Sequence, residues 1–292
     1  MSIMRTVLQS PHFKVISHVC KQPRVDCGVV AGDEPAHLIF TRCGSFLVHV
    51  GGKVWCARPG QAILVRKNVE YFASHPVPDS CDLCTDVLID DEVLDMLGKT
   101  VATKQPCQVF RHDLRFQMTH VEMFRGILQD EDAGDAEEVL LDILAYLMHG
   151  RTPDDADLHD PRIAHQVARV EEAIIGHAGE NVGVDALAKL AGCSPFHLCR
   201  IFRRSTGQSL RQFRLQQRLG TALGRLGGGE MDLAALACDM GFNSHSHMTD
   251  AFRQVLGMSP REVREDMRQS NLQVVKRRLQ TQLGSKRYAG LN

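Results

Sequence analysis

Two stretches in the last third of this sequence follow one plan. Leu187-Ala188 leads to Ala191-Gly192-Cys193-Ser194, and 49 residues later Leu236-Ala237 leads to Met240-Gly241-Phe242-Asn243. Phe202-Arg203, and Gly207 with Ser209, recur 50 residues on as Phe252-Arg253, and Gly257 with Ser259. The second copy therefore carries one extra residue near its turn. Each copy reads as helix, short turn, helix, with a glycine where the first helix must stop and the chain reverse at positive φ. Ser194 in the first copy, and Asn243 or Ser244 in the second, supplies the N-cap of the following helix. Two such hairpins restrict this part of the chain to an all-α unit.

The second helix of each copy has two faces. In the first, Leu198, Ile201 and Phe202 fall at i, i+3 and i+4 and are expected in the core, while Phe196, Cys199, Arg200 and Arg203 form the opposite stripe. In the second, Met248, Ala251, Phe252 and Val255 are expected inside, with His245, Ser246, Thr249 and Arg253 elsewhere on the surface. Core packing needs no arginine at those places. Arginine can bond a guanine edge with two donors or grip phosphate, although each residue alone also fits a solvated face. Between the copies, Phe213, Leu215, Leu219, Leu223 and Leu226 support a long joining helix. From Ala186 to Gly229 there is no carboxylate, against eight cations: Lys189, Arg200, Arg203, Arg204, Arg211, Arg214, Arg218 and Arg225. A phosphate backbone accounts for such a run.

The net charge of −1 hides an asymmetry. From Pro161 onward there are 19 Lys+Arg against 11 Asp+Glu, or +8, and the first 160 residues carry 15 against 24, or −9. Only one half is suited to a polyanion. A length of 292 residues points to two domains. Met1–Ser10 lacks the apolar core of a signal peptide, and no apolar run approaches the roughly 20 residues of a membrane span. The expectation is a cytoplasmic protein without a membrane partner, whose ten cysteines are thiols.

The block from Ala191 to Leu198, with Phe202-Arg203, Gly207, Gly241-Phe242, Ser244, Phe252-Arg253 and Gly257-Met258-Ser259-Pro260, resembles the signature of AraC/XylS-type transcription regulators over roughly residues 165–265. The resemblance implies two helix-turn-helix units on one long helix, reading successive major-groove faces of double-stranded DNA. It implies Phe196, Cys199, Arg200 and Arg203 at the DNA from the first unit, and His245, Ser246 and Thr249 from the second. It also implies an N-terminal cupin-like domain that senses an effector and forms a homodimer, and contact with RNA polymerase in activation. Asp250 departs from the pattern, standing where many members have a basic residue. A carboxylate there is repelled by phosphate but can accept from a cytosine amino group.

The N-terminal residues fit that expectation. Residues 36–89 read as short strands with glycine and proline punctuation, including a hairpin at Gly51-Gly52. Helical spacing follows at Val93, Leu94 and Leu97, at Leu114–Leu128 and at Val139–Leu147. The two longer helices suit either a dimer interface or packing on their own barrel. The expected fold is α+β: a cupin-like sensing domain over 1–155, a double helix-turn-helix domain over 156–270, and a basic extension over 271–292. Arg151–Asp160 reads as an exposed linker. The extension suits either phosphate contact or a solvated tail. His49 lacks the His-x-His, Glu and later His of metal-dependent cupin enzymes, so the chain is read as no enzyme. Cys81 and Cys84 have the spacing of a metal-binding pair, and with Cys20 and Cys27 they can supply four thiolates to zinc, a soft metal or an iron–sulfur cluster, serve as a redox switch, or simply fill a core. The two competing functions are a cupin-type metal enzyme with secondary DNA binding, and a non-specific architectural DNA-binding protein.

Overall fold

The computed structural model describes residues 2–21, 26–30, 35–75, 81–90, 92–94, 105–129, 133–149, 161–177 and 179–289. Ten strands come first: β1 (Ser2–Gln9), β2 (Phe13–Lys21), β3 (Asp26–Val30), β4 (Ala36–Cys43), β5 (Phe46–Val50), β6 (Lys53–Ala57), β7 (Gln61–Val65), β8 (Tyr71–Ser74), β9 (Cys81–Ile89) and β10 (Cys107–Arg111). They make two antiparallel sheets, ordered β1-β2-β9-β4-β7-β10 and β3-β8-β5-β6, which face each other across an apolar core as a small two-sheet barrel. Gly51 and Gly52, both at positive φ, turn β5 into β6 with His49 opposite Val54, as a two-residue hairpin requires. Leu97 and the stretch Arg151–Asp160 lie outside the described residues.

At β4 and β7 the six-stranded sheet is buried on both faces, so Leu38-Ile39-Phe40 and Ala62-Ile63-Leu64-Val65 read as continuous apolar runs. One face looks into the barrel, where Ile39, Ile63, Val65 and Cys84 meet Phe46, Val48 and Val50 of the smaller sheet. The other face carries Phe13, Val15, Phe40, Leu64, Val87 and Ile89. Against it lie α1 (Leu114–Leu128) and α2 (Ala133–His149). The helix α1 starts where the Asp113 side chain accepts from the Phe116 amide.

Strands β1 to β3 precede the stretch 36–89 that the sequence reads as strands, and β10 falls after it, where helical spacing is expected. The reason is visible in β2. Its barrel-facing positions near the end are His18 and Cys20, so the apolar alternation that marks a half-buried strand is missing.

The C-terminal part is helical: α3 (Pro161–Gly176), α4 (Val184–Ala191), α5 (Pro195–Thr206), α6 (Leu210–Gly227), α7 (Leu233–Asp239), α8 (His245–Leu256), α9 (Pro260–Gln269) and α10 (Leu272–Ala289). No helix of the described residues is long and apolar enough to cross a membrane. Over residues 272–279 the last helix packs on the rest of the chain, and two of its cations, Lys276 and Arg278, are paired. Leu272, Val275 and Leu279 are fully buried against α1 and α2. Lys276 pairs with Glu138, and Arg278 donates to both oxygens of Glu122 in α1 and both of Asp266 in α9.

Glu122 is buried, and burial pushes its carboxyl up from 4.5 to about 7 against the pull of Arg278. The folded chain holds a proton there that the unfolded chain gives up above about 4.5. This group therefore favours folding most below that pH, and the contribution fades as pH rises through about 7. Glu122→Gln is expected to flatten the fall in urea midpoint between about pH 5 and about pH 7.5. An unchanged slope in the variant would mean that Glu122 is ionised throughout.

Candidate nucleic-acid interface

The two hairpins of the repeat take the same path. Helix α4 ends at Gly192 (φ 66°), in the left-handed conformation, and α7 is followed by Gly241 (φ 67°). At Gly241 the requirement is double, because a Cβ there would lie 2.3 Å from the Gly179 carbonyl oxygen. The next helix is then capped by a serine. Ser194 accepts from the His197 amide, and Ser244, rather than Asn243, accepts from the His247 amide. Helices α5 and α8 have 12 residues each and end at Gly207 and Gly257, again left-handed. The helices that follow open with matching capping boxes, Ser209 with Gln212 and Ser259 with Glu262.

Each second helix buries one stripe and presents the other. Leu198, Ile201 and Phe202 are buried, and Phe202 meets Phe213 of α6 edge to face at 5.2 Å. Met248, Ala251 and Phe252 are buried as expected, but Val255 is 36% exposed. Leu256 takes its place in the core. Val255 instead borders a cavity between this unit and the barrel.

Phe196 is 80% exposed, a high value for a phenylalanine with no role at the surface. Cys199, Arg200 and Arg203 are exposed beside it, and an Arg200 Nη2 lies 3.3 Å from His197 Nδ1. In the second unit His245, Ser246 and Arg253 are exposed and Thr249 half-buried. The Thr249 hydroxyl donates to the His245 carbonyl, back along its own helix, and Asp250 is exposed next to it. Every one of these eight positions thus projects from one of the two repeated helices.

Arg214, Arg218 and Arg225, among the eight cations between Ala186 and Gly229, have work inside the chain. Arg214 donates to the Val182 carbonyl. Arg218 is buried, donates to Glu180 and Asn181, and stands over the Phe242 ring. Arg225 bridges Glu230 and Asp239 at 2.6 Å each. These three tie α6 to the loops before α4 and around α7, so they need no phosphate. Lys189, Arg200, Arg203, Arg204 and Arg211 remain exposed. The carboxylates that pair Arg225 lie outside the counted stretch, so the count alone overstated the free charge.

The units are docked on the barrel. Arg58 pairs with Glu171 of α3 at 3.1 Å and lies over the Phe213 ring. Arg111 donates to the carbonyls of Ser205 and Thr206 at the end of α5, a favourable place for a cation. Gln217 of α6 donates to the Pro59 carbonyl. A cavity of about 520 Å³ remains between barrel and helices, bordered by Arg58, Arg111, His112, Tyr146, Phe213 and Val255 among others. Burial lowers the His112 pKa to about 4, so its ring is neutral there.

Of the four cysteines singled out in the sequence, Cys20 and Cys84 are buried, and the side chains of Cys27 and Cys81 lie outside the described residues. Burial, together with Asp82 and Asp86, pushes the Cys84 thiol well up. Its neighbours are His18, 3.6 Å away, and Asp82; Asp82 in turn meets His75, absent from the sequence expectation, whose Nε2 is 2.5 Å from Asp82 Oδ1.

A helix-turn-helix domain model matches residues 187–266. Regulatory protein SoxS of Salmonella typhimurium is 30% identical over 104 residues, 35% of this chain and 97% of that protein. The HTH-type transcriptional regulator RipA of Corynebacterium glutamicum is 31% identical over 146 residues, 50% of this chain and 43% of its own length. The arabinose operon regulatory protein of Escherichia coli is 26% identical over 162 residues, 53% of this chain and 54% of its own. SoxS apart, the chain spans about a third to a half of the length of the curated relatives it matches.

Proposed function

We propose, for a chain that belongs to the AraC/XylS family of transcription regulators, that it binds a specific DNA site through both helix-turn-helix units and reports the state of its N-terminal domain. The observation that carries this reading is the exposed stripe, repeated on two 12-residue helices whose opposite faces are core. A non-specific phosphate binder needs cations but not two matched helices with Phe196, His245 and Ser246 turned outward.

Helices α5 and α8 enter adjacent major-groove segments about 10 bp apart. Arg200 and Arg203 supply guanine or phosphate contacts, His245, Ser246 and Thr249 supply shorter hydrogen bonds, and Arg253 adds a cation. In our reading 1–155 is the sensing and dimerising domain, 156–270 the DNA-binding domain and 271–292 an extension that returns to α1 and α2. The first unit and the joining helix dock on the barrel through Arg58, Arg111 and Gln217, and the second unit packs on Leu114, Met118 and Val121 of α1. An effector that favours one docking over another shifts the spacing of the readers within a homodimer. RNA polymerase is the partner at the promoter, and the cytoplasm is where this takes place.

Arg200→Ala is expected to cost about 1–3 kcal/mol at the selected site and to relax one base position, with a much smaller loss on random duplex. Fluorescence anisotropy on both duplexes reads this directly. An equal loss on the two would make Arg200 a phosphate contact.

A further inference from the structure

On the β2–β9 ladder His18 stands opposite Cys84, and Cys20 opposite Asp82. Residues two apart on a strand share a face, so all four project from one side of the sheet. That side is the barrel interior, where Cys84 belongs to the core with Ile39 and Val48. His75, just beyond β8 of the opposing sheet, reaches across to the same carboxylate.

The donor atoms of Cys20, His75 and Asp82 lie within 4.8 Å of one another, and so do those of His18, Asp82 and Cys84. Asp82 is common to both sets. Cys20, His75, Asp82 and Cys84 are all buried. A carboxylate in an apolar barrel is costly unless a cation compensates it. One histidine would satisfy a hydrogen bond, yet two thiols and a second histidine lie within 4.8 Å of that carboxylate.

We propose that the barrel interior binds one borderline divalent transition-metal ion of the zinc class through Cys20 Sγ, His75, Asp82 and Cys84 Sγ. A mixed S, N and O set suits such an ion, which takes four ligands at about 2.0–2.3 Å. The two sets meet at Asp82, so closing on the ion draws Cys84 towards Cys20 and His75, and each bound thiol releases its proton to solvent. The ion joins β8 of the smaller sheet to β2 and β9 of the larger one. It differs from an all-cysteine site because the register brings in His75 and Asp82, which no cysteine spacing reveals. The proposal does not depend on DNA binding.

The test uses the full chain, reduced, stripped with chelator and titrated with Co²⁺ and then Zn²⁺. Expected are one Co²⁺ per chain, a thiolate-to-cobalt charge-transfer band, tetrahedral d–d bands, loss of both on adding Zn²⁺, and a higher Tm with Zn²⁺. Cys20→Ser and Cys84→Ser should each remove about half of the charge-transfer intensity. Asp82→Asn should weaken binding by more than about 100-fold, beyond the effect of a merely supporting residue, while Cys56→Ser binds as the unaltered chain does. Far-UV circular dichroism shows that each variant is folded, and if Asp82→Asn is not, the two cysteine variants decide. No charge-transfer band in the folded chain overturns the proposal, as does a band of full intensity in either cysteine variant.

Discussion

At about pH 8, where Glu122 is ionised, Arg278→Ala is expected to lower stability by about 3 kcal/mol, the lower end of the range for stranding one partner of a buried ion pair. One guanidinium nitrogen donates to both oxygens of Glu122, at 2.6 and 2.7 Å, and another to both of Asp266, at 2.9 Å each. The Glu122 side chain is wholly buried and Arg278 about a third exposed. This one side chain thus joins α1 of the N-terminal layer, α9 after the second helix-turn-helix unit, and the last helix. The urea midpoint at constant slope measures the loss. Arg278→Lys keeps a charge but not the fork, and should fall between. Combining Arg278→Ala with Glu122→Gln should recover part of the loss, because no buried charge is then left alone. A change below about 0.5 kcal/mol for Arg278→Ala would place the pair in the weak surface class.

Gly224→Ala should destabilise by about 3 kcal/mol, at the top of the overpacking range. The sign is what makes it informative, since replacing a mid-helix glycine by alanine ordinarily stabilises by about 1 kcal/mol. A Cβ at 224 would lie 1.9 Å from the backbone oxygen of Arg42 in β4, and no rotamer can relieve a clash with backbone. Gly220 lies on the same junction, its Cβ position meeting Pro59 at 2.6 Å, while that of Gly227 meets Val121 of α1 at 2.1 Å. The joining helix of the two readers therefore rests directly on the barrel. A stabilised Gly224→Ala variant would show that α6 does not press on β4.

The repeat was readable in the sequence because each copy carries its own punctuation: a left-handed glycine, a serine cap, a buried phenylalanine and a second left-handed glycine. These are local requirements, and local requirements appear at fixed spacing. The exposed stripe of α5 followed by elimination, once Leu198, Ile201 and Phe202 were assigned inward. Val255 was misassigned because it keeps helical spacing with Phe252, yet the side it faces is a cavity rather than a neighbour.

The less legible features depend on pairing across long separations. Nothing near Arg218 shows that it will cap a loop about 38 residues upstream. The basic look of 271–292 concealed Leu272, Val275 and Leu279, whose spacing marks a helix but not its partner. Likewise His75 joins Cys20 and Asp82 only through the register of three strands. Gly220 and Gly224, one helical turn apart in α6, were the sequence signal for close helix–sheet approach, and they were available.

The most direct test of the paired-reader account is selection of binding sites from random duplex DNA, followed by a salt titration on the enriched sequence. The account predicts an enriched site with two conserved blocks centred about 10 bp apart, each weakened by a change in its own helix. Uniform binding without enrichment, governed only by a steep dependence on salt, would contradict it and leave a phosphate-binding protein.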